Sequence, residues 1–470
     1  MLFRGQDTSA NNCFGPRLTS SPKLSNGQVV RPYFFFGLWF GRIPGNGRRK
    51  PTPTSIVKIQ KYTFGTGDRF AHQGQAQLRA ILNAREAGID VHPVWNKSNR
   101  EHSMIKSKPD DVRGEADAAV AALGFTGAYY VDADHIGLKT VDGFIPASDF
   151  FTLDVADFTG KAAEGDAVEA FLKAVRRYTG SLSIPGIERP FDLTEKTVRG
   201  AAGKFLLAVQ EAGRIYRHVK ERKGRDGFIT EVSVDETDAP QNPVELFLIL
   251  AMIAEEGIPV QTIAPKFTGR FNKGVDYAGN LAQFETEFDE DLSVIAFAIH
   301  EFGLPDTLKL SVHSGSDKFS IYPIINRLIK KHNAGLHVKT CGTTWLEEVI
   351  GLAESGGEGL ELVKEIYAQA RDHFTELVAP YSTVIDIDPD KLPDPKSVMG
   401  WSSSQYVDAL RHVESSSHYN PNFRQLLHVG FKVAAGMGKR FTGALEANEA
   451  IVGRNVTRNL FERHLKPIFA

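Results

Sequence analysis

Gly65-Thr66-Gly67-Asp68-Arg69-Phe70 follows directly on the β-type run Tyr62-Thr63-Phe64, and its reading separates two α/β architectures. An open, doubly wound sheet built for a dinucleotide carries a third glycine at the last of these six positions, where a helix must pack closely on its strand. Phe70 stands there instead. The loop therefore predicts no NAD site and favours a closed (β/α)8 barrel of the TIM type. Outward from it, β-rich runs at 62–66, 91–95, 128–133, 150–155, 228–234, 261–266, 308–312 and 336–339 alternate with helical patterns such as 73–87, 194–221, 244–256, 281–302 and 322–332. Alternation of this kind is the mark of a parallel sheet with covering helices, and eight strands is the barrel number. Beyond Pro389 the chain reads as amphipathic helices, at 422–433 and 446–465. The expected division is an N-terminal extension at 1–55, a catalytic barrel at 56–388 and a helical segment at 389–470 that caps the barrel.

Polar side chains collect where these strands end. Asp68 and Arg69, Asn96 and Lys97, Asp132 with Asp134 and His135, Asp154, Glu231 with Asp235 and Glu236, Lys266, His313 with Asp317 and Lys318, and Lys339 all sit at or just past a strand C-terminus. In a barrel those ends converge on one mouth, where catalytic groups are found. In Asp132-Ala133-Asp134-His135, period-2 alternation puts both carboxylates on one face, and the imidazole beside them suits a divalent metal or an acid–base pair. A helix cap or solvated turn is the plain alternative. Glu231, Ser233 and Asp235 share one face of a valine-rich strand, where a buried carboxylate needs a cation or hydrogen bonds. A structural ion pair with Lys266 or Lys339 would serve equally. His313 closes an alternating strand ahead of a small Ser-Gly-Ser loop, and reads either as a metal ligand or as a hydrogen-bonded core histidine. Gln283 opens a helix and reads as a cap unless it reaches the mouth, while Arg424 and His428 share one face of a helix that could close over it.

Phe64-Gly65-Thr66-Gly67-Asp68-Arg69, Asp132-Ala133-Asp134-His135, the run 231–237, Leu281-Ala282-Gln283-Phe284-Glu285, His313-Ser314-Gly315-Ser316-Asp317-Lys318-Phe319 and His337-Val338-Lys339-Thr340 occur in order between Phe64 and His428. Together they resemble the tagaturonate/fructuronate epimerase family, whose relatives include tagatose 4-epimerases. The first 60 residues and the Cys341 loop depart from it. The resemblance implies a metal-dependent epimerase of keto-hexuronates, with tagatose and fructose as further substrates. Its ligand set would be His135, Gln283 and His313, and its acid–base pair Asp134 and Glu231. Asp68, Arg69, Asp235, Asp317, Lys318 and Lys339 are expected around the substrate, with Arg69, Lys318 or Lys339 holding its carboxylate. Such a ligand set suits Zn, Mn, Ni or Fe. Tagaturonate and fructuronate differ one bond beyond the carbon next to the ketone, so proton loss alpha to the carbonyl does not interconvert them; retro-aldol cleavage does. A metal-dependent aldolase or ketose isomerase is the neighbouring enzymatic reading, and a non-catalytic sugar-acid-binding barrel the reading of another class.

Composition narrows the partners. Fifty-five Lys+Arg against 57 Asp+Glu give a net charge of -2, so no global field draws the chain to nucleic acid or an anionic membrane. The apolar run at 33–40 is too short for a membrane helix, and no charged start with an apolar core marks a secretory signal. Two cysteines, Cys13 and Cys341, make no disulfide framework and fit a reducing compartment. A cytoplasmic enzyme for a small sugar acid or ketose is expected, with homo-oligomerisation open.

Overall fold

The computed structural model describes residues 57–470 apart from 225, 226, 236, 238 and 341. The 1–55 extension, the 33–40 run, both cysteines and Glu236 lie outside the described residues. The strands are β1 (Tyr62–Thr66), β2 (Val91–Ser98), β3 (Tyr130–Ile136), β4 (Phe150–Asp154), β5 (Gly180–Leu182), β6 (Phe191–Leu193), β7 (Ile229–Ser233), β8 (Thr262–Ala264), β9 (Lys309–Val312) and β10 (Leu336–Thr340). Eight of them close a barrel in the order β1-β10-β9-β8-β7-β4-β3-β2, each parallel to its neighbours, as expected for a TIM barrel. β5 and β6 form a separate antiparallel ribbon between β4 and the 29-residue helix Glu195–Lys223.

The helices form for local reasons. Thr194 accepts from the Thr197 amide at the start of Glu195–Lys223, and Asn242 makes a capping box with Glu245 ahead of Pro243–Glu255. That second helix is buried along its middle from Leu246 to Ile253, because it joins the barrel's apolar core and Glu195–Lys223 and Leu281–Phe302 flank it. Between β3 and β4 there is only a 3-10 turn, Val141–Gly143, since the linking chain is too short for a covering helix. Inside the barrel, Ile59, Val94, Tyr130, Phe150 and Ile229 form an apolar floor. The polar residues lie above this floor, toward the strand C-termini.

A second apolar core runs from Trp345 to Val452 and includes Tyr367, Tyr406, Phe423 and Phe441. It starts well before residue 389, because helices Thr343–Ser355 and Gly357–Asp372 bury their apolar faces against later helices rather than against the barrel. The chain then returns: Val456, Leu460, Leu465, Ile468 and Phe469 belong to the barrel core. Glu449–Arg458 and Asn459–Leu465 lie along Gly74–Glu86, and Lys466–Phe469 lies against Tyr322–Lys331. The C-terminus thus fills the eighth helical position beside β10 and β1. Among the described residues, no helix is long and apolar enough to cross a membrane.

Candidate active site at the barrel mouth

Lys339, on β10, is the hub. Its ammonium lies 2.7 Å from Asp132 Oδ2, 2.8 Å from Asp134 Oδ1 and 3.0 Å from Glu231 Oε1, and donates to the Thr152 hydroxyl. The Thr152 oxygen in turn lies 3.0 Å from both Asp132 carboxylate oxygens. Three carboxylates and an ammonium are tolerated inside a barrel only because they face one another. Lys266, the other partner open to Glu231, instead donates to the Thr237 carbonyl. Burial pushes Asp132 up to about 6 against the pull of Lys339. Burial acts the same way on Asp134 and Glu231, but Lys339 and the nearby imidazoles outweigh it, holding Asp134 below the usual carboxylate range and Glu231 well below it. Both are ionised at neutral pH and so can accept protons.

Two histidines stand over this cluster. Alternation along β3 would send His135 to the face opposite Asp134, yet the pairing of β3 with β4 slips between Ala133 and Ile136, and His135 takes a φ of +52°. That irregularity turns the ring into the mouth, 5.0 Å from the His313 ring. His135 Nδ1 lies 3.4 Å from Asp154 Oδ2, at the end of β4. His313 Nε2 contacts Glu231 Oε1 at 2.7 Å, while its Nδ1 faces Asp235 Oδ2 at 3.1 Å and has no hydrogen bond among the described residues. Ser233 donates to the other oxygen of Asp235 and orients it. Ligand atoms of His135, Asp235 and His313 all lie within 4.8 Å of one another. Burial disfavours charge on both rings, but Asp134 and Asp154 around His135 raise it to about 10, and Asp235 and Glu231 raise His313 to about 9. A field that holds two imidazoles protonated also favours a divalent cation. The buried, unbonded Nδ1 of His313 facing a carboxylate fits a metal ligand.

A family model described as UxaE, tagaturonate epimerase, matches residues 49–465. The chain belongs to the tagaturonate epimerase family. It is 30% identical over 424 residues to the tagaturonate/fructuronate epimerase of Thermotoga maritima, covering 86% of this chain and 80% of that one. The native crystal structure of fructuronate-tagaturonate epimerase UxaE from Cohnella laeviribosi superposes with a TM-score of 0.72 at 25% identity, covering 88% of this chain and 82% of that one. Its complex with one glycerol gives 0.73 at 24% identity, covering 88% and 82%.

Of the residues that the likeness to tagaturonate epimerases puts at the site, the structure brings together Asp134, His135, Glu231, Asp235, His313 and Lys339. Gln283 is not among them: it is exposed on the first turn of Leu281–Phe302 and donates to Glu287 Oε1 at 3.2 Å. Asp235, read from the sequence as a substrate contact, takes the third place beside the two histidines instead. Asp68 accepts from the backbone amides of Phe70, Ala71, His72 and Gln73, and so holds the β1 loop. Arg69 pairs with Glu101 at 2.8 Å and stacks 3.7 Å over Phe431. Asp317 pairs with Arg424, and Lys318 donates to the carbonyls of Asn272, Val275 and Ser316 at 2.7–2.8 Å. These two fully buried groups tie the His313 loop to the helical part and to the β8 loop rather than facing substrate. Thr152 joins the cluster without a sequence motif of its own; its only signal is its position on β4 opposite Glu231.

Proposed function

We propose that this chain is a divalent-metal-dependent epimerase that interconverts tagaturonate and fructuronate, the substrates named for its Thermotoga relative. The observation that carries the reading is the grouping of His135, Asp235 and His313 within 4.8 Å, in the same mouth as the ionised Asp134 and Glu231. Those three residues would hold the cation. When bound it supplies Lewis acidity toward the ketone side of the substrate.

The chain's own groups then have defined tasks. Asp134 or Glu231 takes the proton from the hydroxyl on the carbon to be inverted. That oxygen's electron pair becomes the aldehyde C=O, the carbon–carbon bond toward the ketone breaks, and its electron pair passes into the enediolate of the ketone-bearing half. The aldehyde half turns over, the same bond reforms on its other face, and the proton returns to the new alkoxide from the carboxylate that took it, leaving both carboxylates ionised again. Lys339, within 3.0 Å of both carboxylates, holds them apart and ionised between turnovers.

Metal analysis followed by incubation with tagaturonate and with tagatose, with products followed by NMR, tests the assignment. Conversion of tagaturonate that stops with a chelator and returns with a divalent cation is the expected result; full turnover by a demonstrably metal-free chain would falsify the metal role. In deuterated water the inverted carbon should stay unlabelled, because its hydrogen never leaves. Stoichiometric deuterium there excludes retro-aldol cleavage and leaves the epimerase assignment standing.

A further inference from the structure

The seam between the mouth and the helical part holds a second set of polar groups, on the β1–β10 side. His428, on helix Pro421–Val429, is 1% exposed, and neither ring nitrogen has a hydrogen-bond partner among the described residues. Buried polar nitrogens are seldom left this way without a ligand or water to complete them. The backbone makes room for this ring in two places. A Cβ on Gly342, which has a φ of +84°, would stand 2.2 Å from His428 Cε1, and a Cβ on Gly274 would stand 3.5 Å from its Nδ1. Gly342 lies two residues past the end of β10 and three past Lys339, a chain span of roughly 10 Å at most. Gly274 lies in the loop that follows β8. The ring therefore stands between the loops that follow β10 and β8, three residues along the chain from Lys339 at the first of them.

The surroundings of His428 are cationic. Lys273 adjoins Gly274 in the same loop and has no carboxylate partner among the described residues. Arg69 enters from the end of β1 and stacks on Phe431, one turn along from His428. Burial, Arg69 and Lys273 together hold the imidazole well below its ordinary value, so it is neutral until an anion arrives. Arg424, on the same helix face, is already paired with Asp317.

We infer that His428 and Lys273 form the subsite for the carboxylate of a sugar-acid substrate, and thereby set a preference for acids over neutral sugars. This rests on the proposed epimerase reading. The carboxylate would accept from His428 and from the Lys273 ammonium, while the ketone end of the molecule reaches the histidine cluster across the mouth. The three subsite residues expected from sequence are already engaged: Arg69 pairs with Glu101 at 2.8 Å, Lys318 is enclosed by backbone carbonyls and Lys339 by the site's carboxylates.

D-gluconate and D-glucitol differ at one end only, carboxylate against hydroxymethyl, and their binding to the metal-loaded full chain is measured by calorimetry. The unaltered chain should prefer gluconate. His428→Ala and Lys273→Met should each weaken gluconate by about 10- to 100-fold, the size of a lost charge-assisted hydrogen bond, and leave glucitol unchanged. Lys273→Met keeps the length of a partly exposed side chain and so guards against misfolding of the His428 variant. Equal affinity of the unaltered chain for the two polyols, or for neither, overturns the subsite; so does equal weakening of both, or of neither, in the Lys273 variant. Turnover of tagaturonate by the unaltered chain is scored separately, and its absence counts against the epimerase reading instead.

Discussion

Whether Asp235 or Gln283 completes the proposed ligand set is decided by single side chains. Asp235 lies 3.1 Å from His313 Nδ1 with Ser233 orienting it, whereas Gln283 donates to Glu287 on an exposed turn. Asp235→Asn should therefore lower bound metal by about 10-fold or more, and Gln283→Ala should leave it near the unaltered value; metal content after dialysis measures both. The reverse outcome hands the third ligand position back to Gln283. A pH dependence follows from the same residues. In the metal-free chain His135 and His313 titrate near 10 and near 9, so both carry protons at pH 7 and a cation must displace them. Apparent metal affinity should rise with pH through the neutral range and flatten above the higher of these values. Calorimetry in buffers of different ionisation enthalpy should show proton release at pH 7; a flat affinity between pH 6 and 9 contradicts these protonation states. The mouth position of Asp134, Glu231 and His313 was legible in the sequence because each lies within two residues of its strand's C-terminal end. The re-aimed His135 ring was not, because a slip in strand pairing is a property of two strands and leaves no mark on one. The partners of Asp317 and Lys318 leave no local mark for a related reason: Arg424 lies 107 residues away, and the Asn272 and Val275 carbonyls of the β8 loop 46 and 43.

Strands and their loops carry the next level of constraint. All eight barrel strands fall where apolar alternation and polar ends place them, with ends shifting by a few residues, because a strand buried on both faces needs the same short β-branched run wherever it lies. The loop after β10 is less tolerant. Gly342 combines a φ of +84° with a ring 2.2 Å from where a Cβ would stand. Gly342→Ala should cost about 1–3 kcal/mol through backbone strain, and more if His428 cannot move aside. Gly436, within helix Phe431–Met437, has nothing within 4 Å of its would-be Cβ and serves as the control. Gly436→Ala should be neutral or add up to about 1 kcal/mol. Urea midpoints of the two variants check the contrast, and equal shifts would show that the loop is not held against His428.

At the scale of the whole molecule, the chain leaves the barrel after β10, builds a second core, and comes back to complete the first. Nothing in the local pattern of 446–465 distinguishes a helix that ends a cap from one that closes a barrel; the difference lies in which apolar face it meets. The structure answers with Leu460, Leu465, Ile468 and Phe469, all in the barrel core, and with Phe469 against Tyr62 of β1 at 5.0 Å between ring centroids. The Asp317 amide donates to His464 Nε2 at 3.1 Å, so the same segment helps hold the loop that presents His313. Each of the four apolar side chains is worth about 1.5–3 kcal/mol on burial, and their sum approaches the 5–15 kcal/mol by which a whole domain is stable. Deleting 459–470 should therefore cost the native barrel and its metal site together, although every strand and every proposed catalytic residue remains. The expected product is insoluble, or soluble without a cooperative thermal transition and without tight metal binding. A shortened chain that melts sharply and still holds one metal ion would show that these helices are an appendage, and that the barrel closes without them.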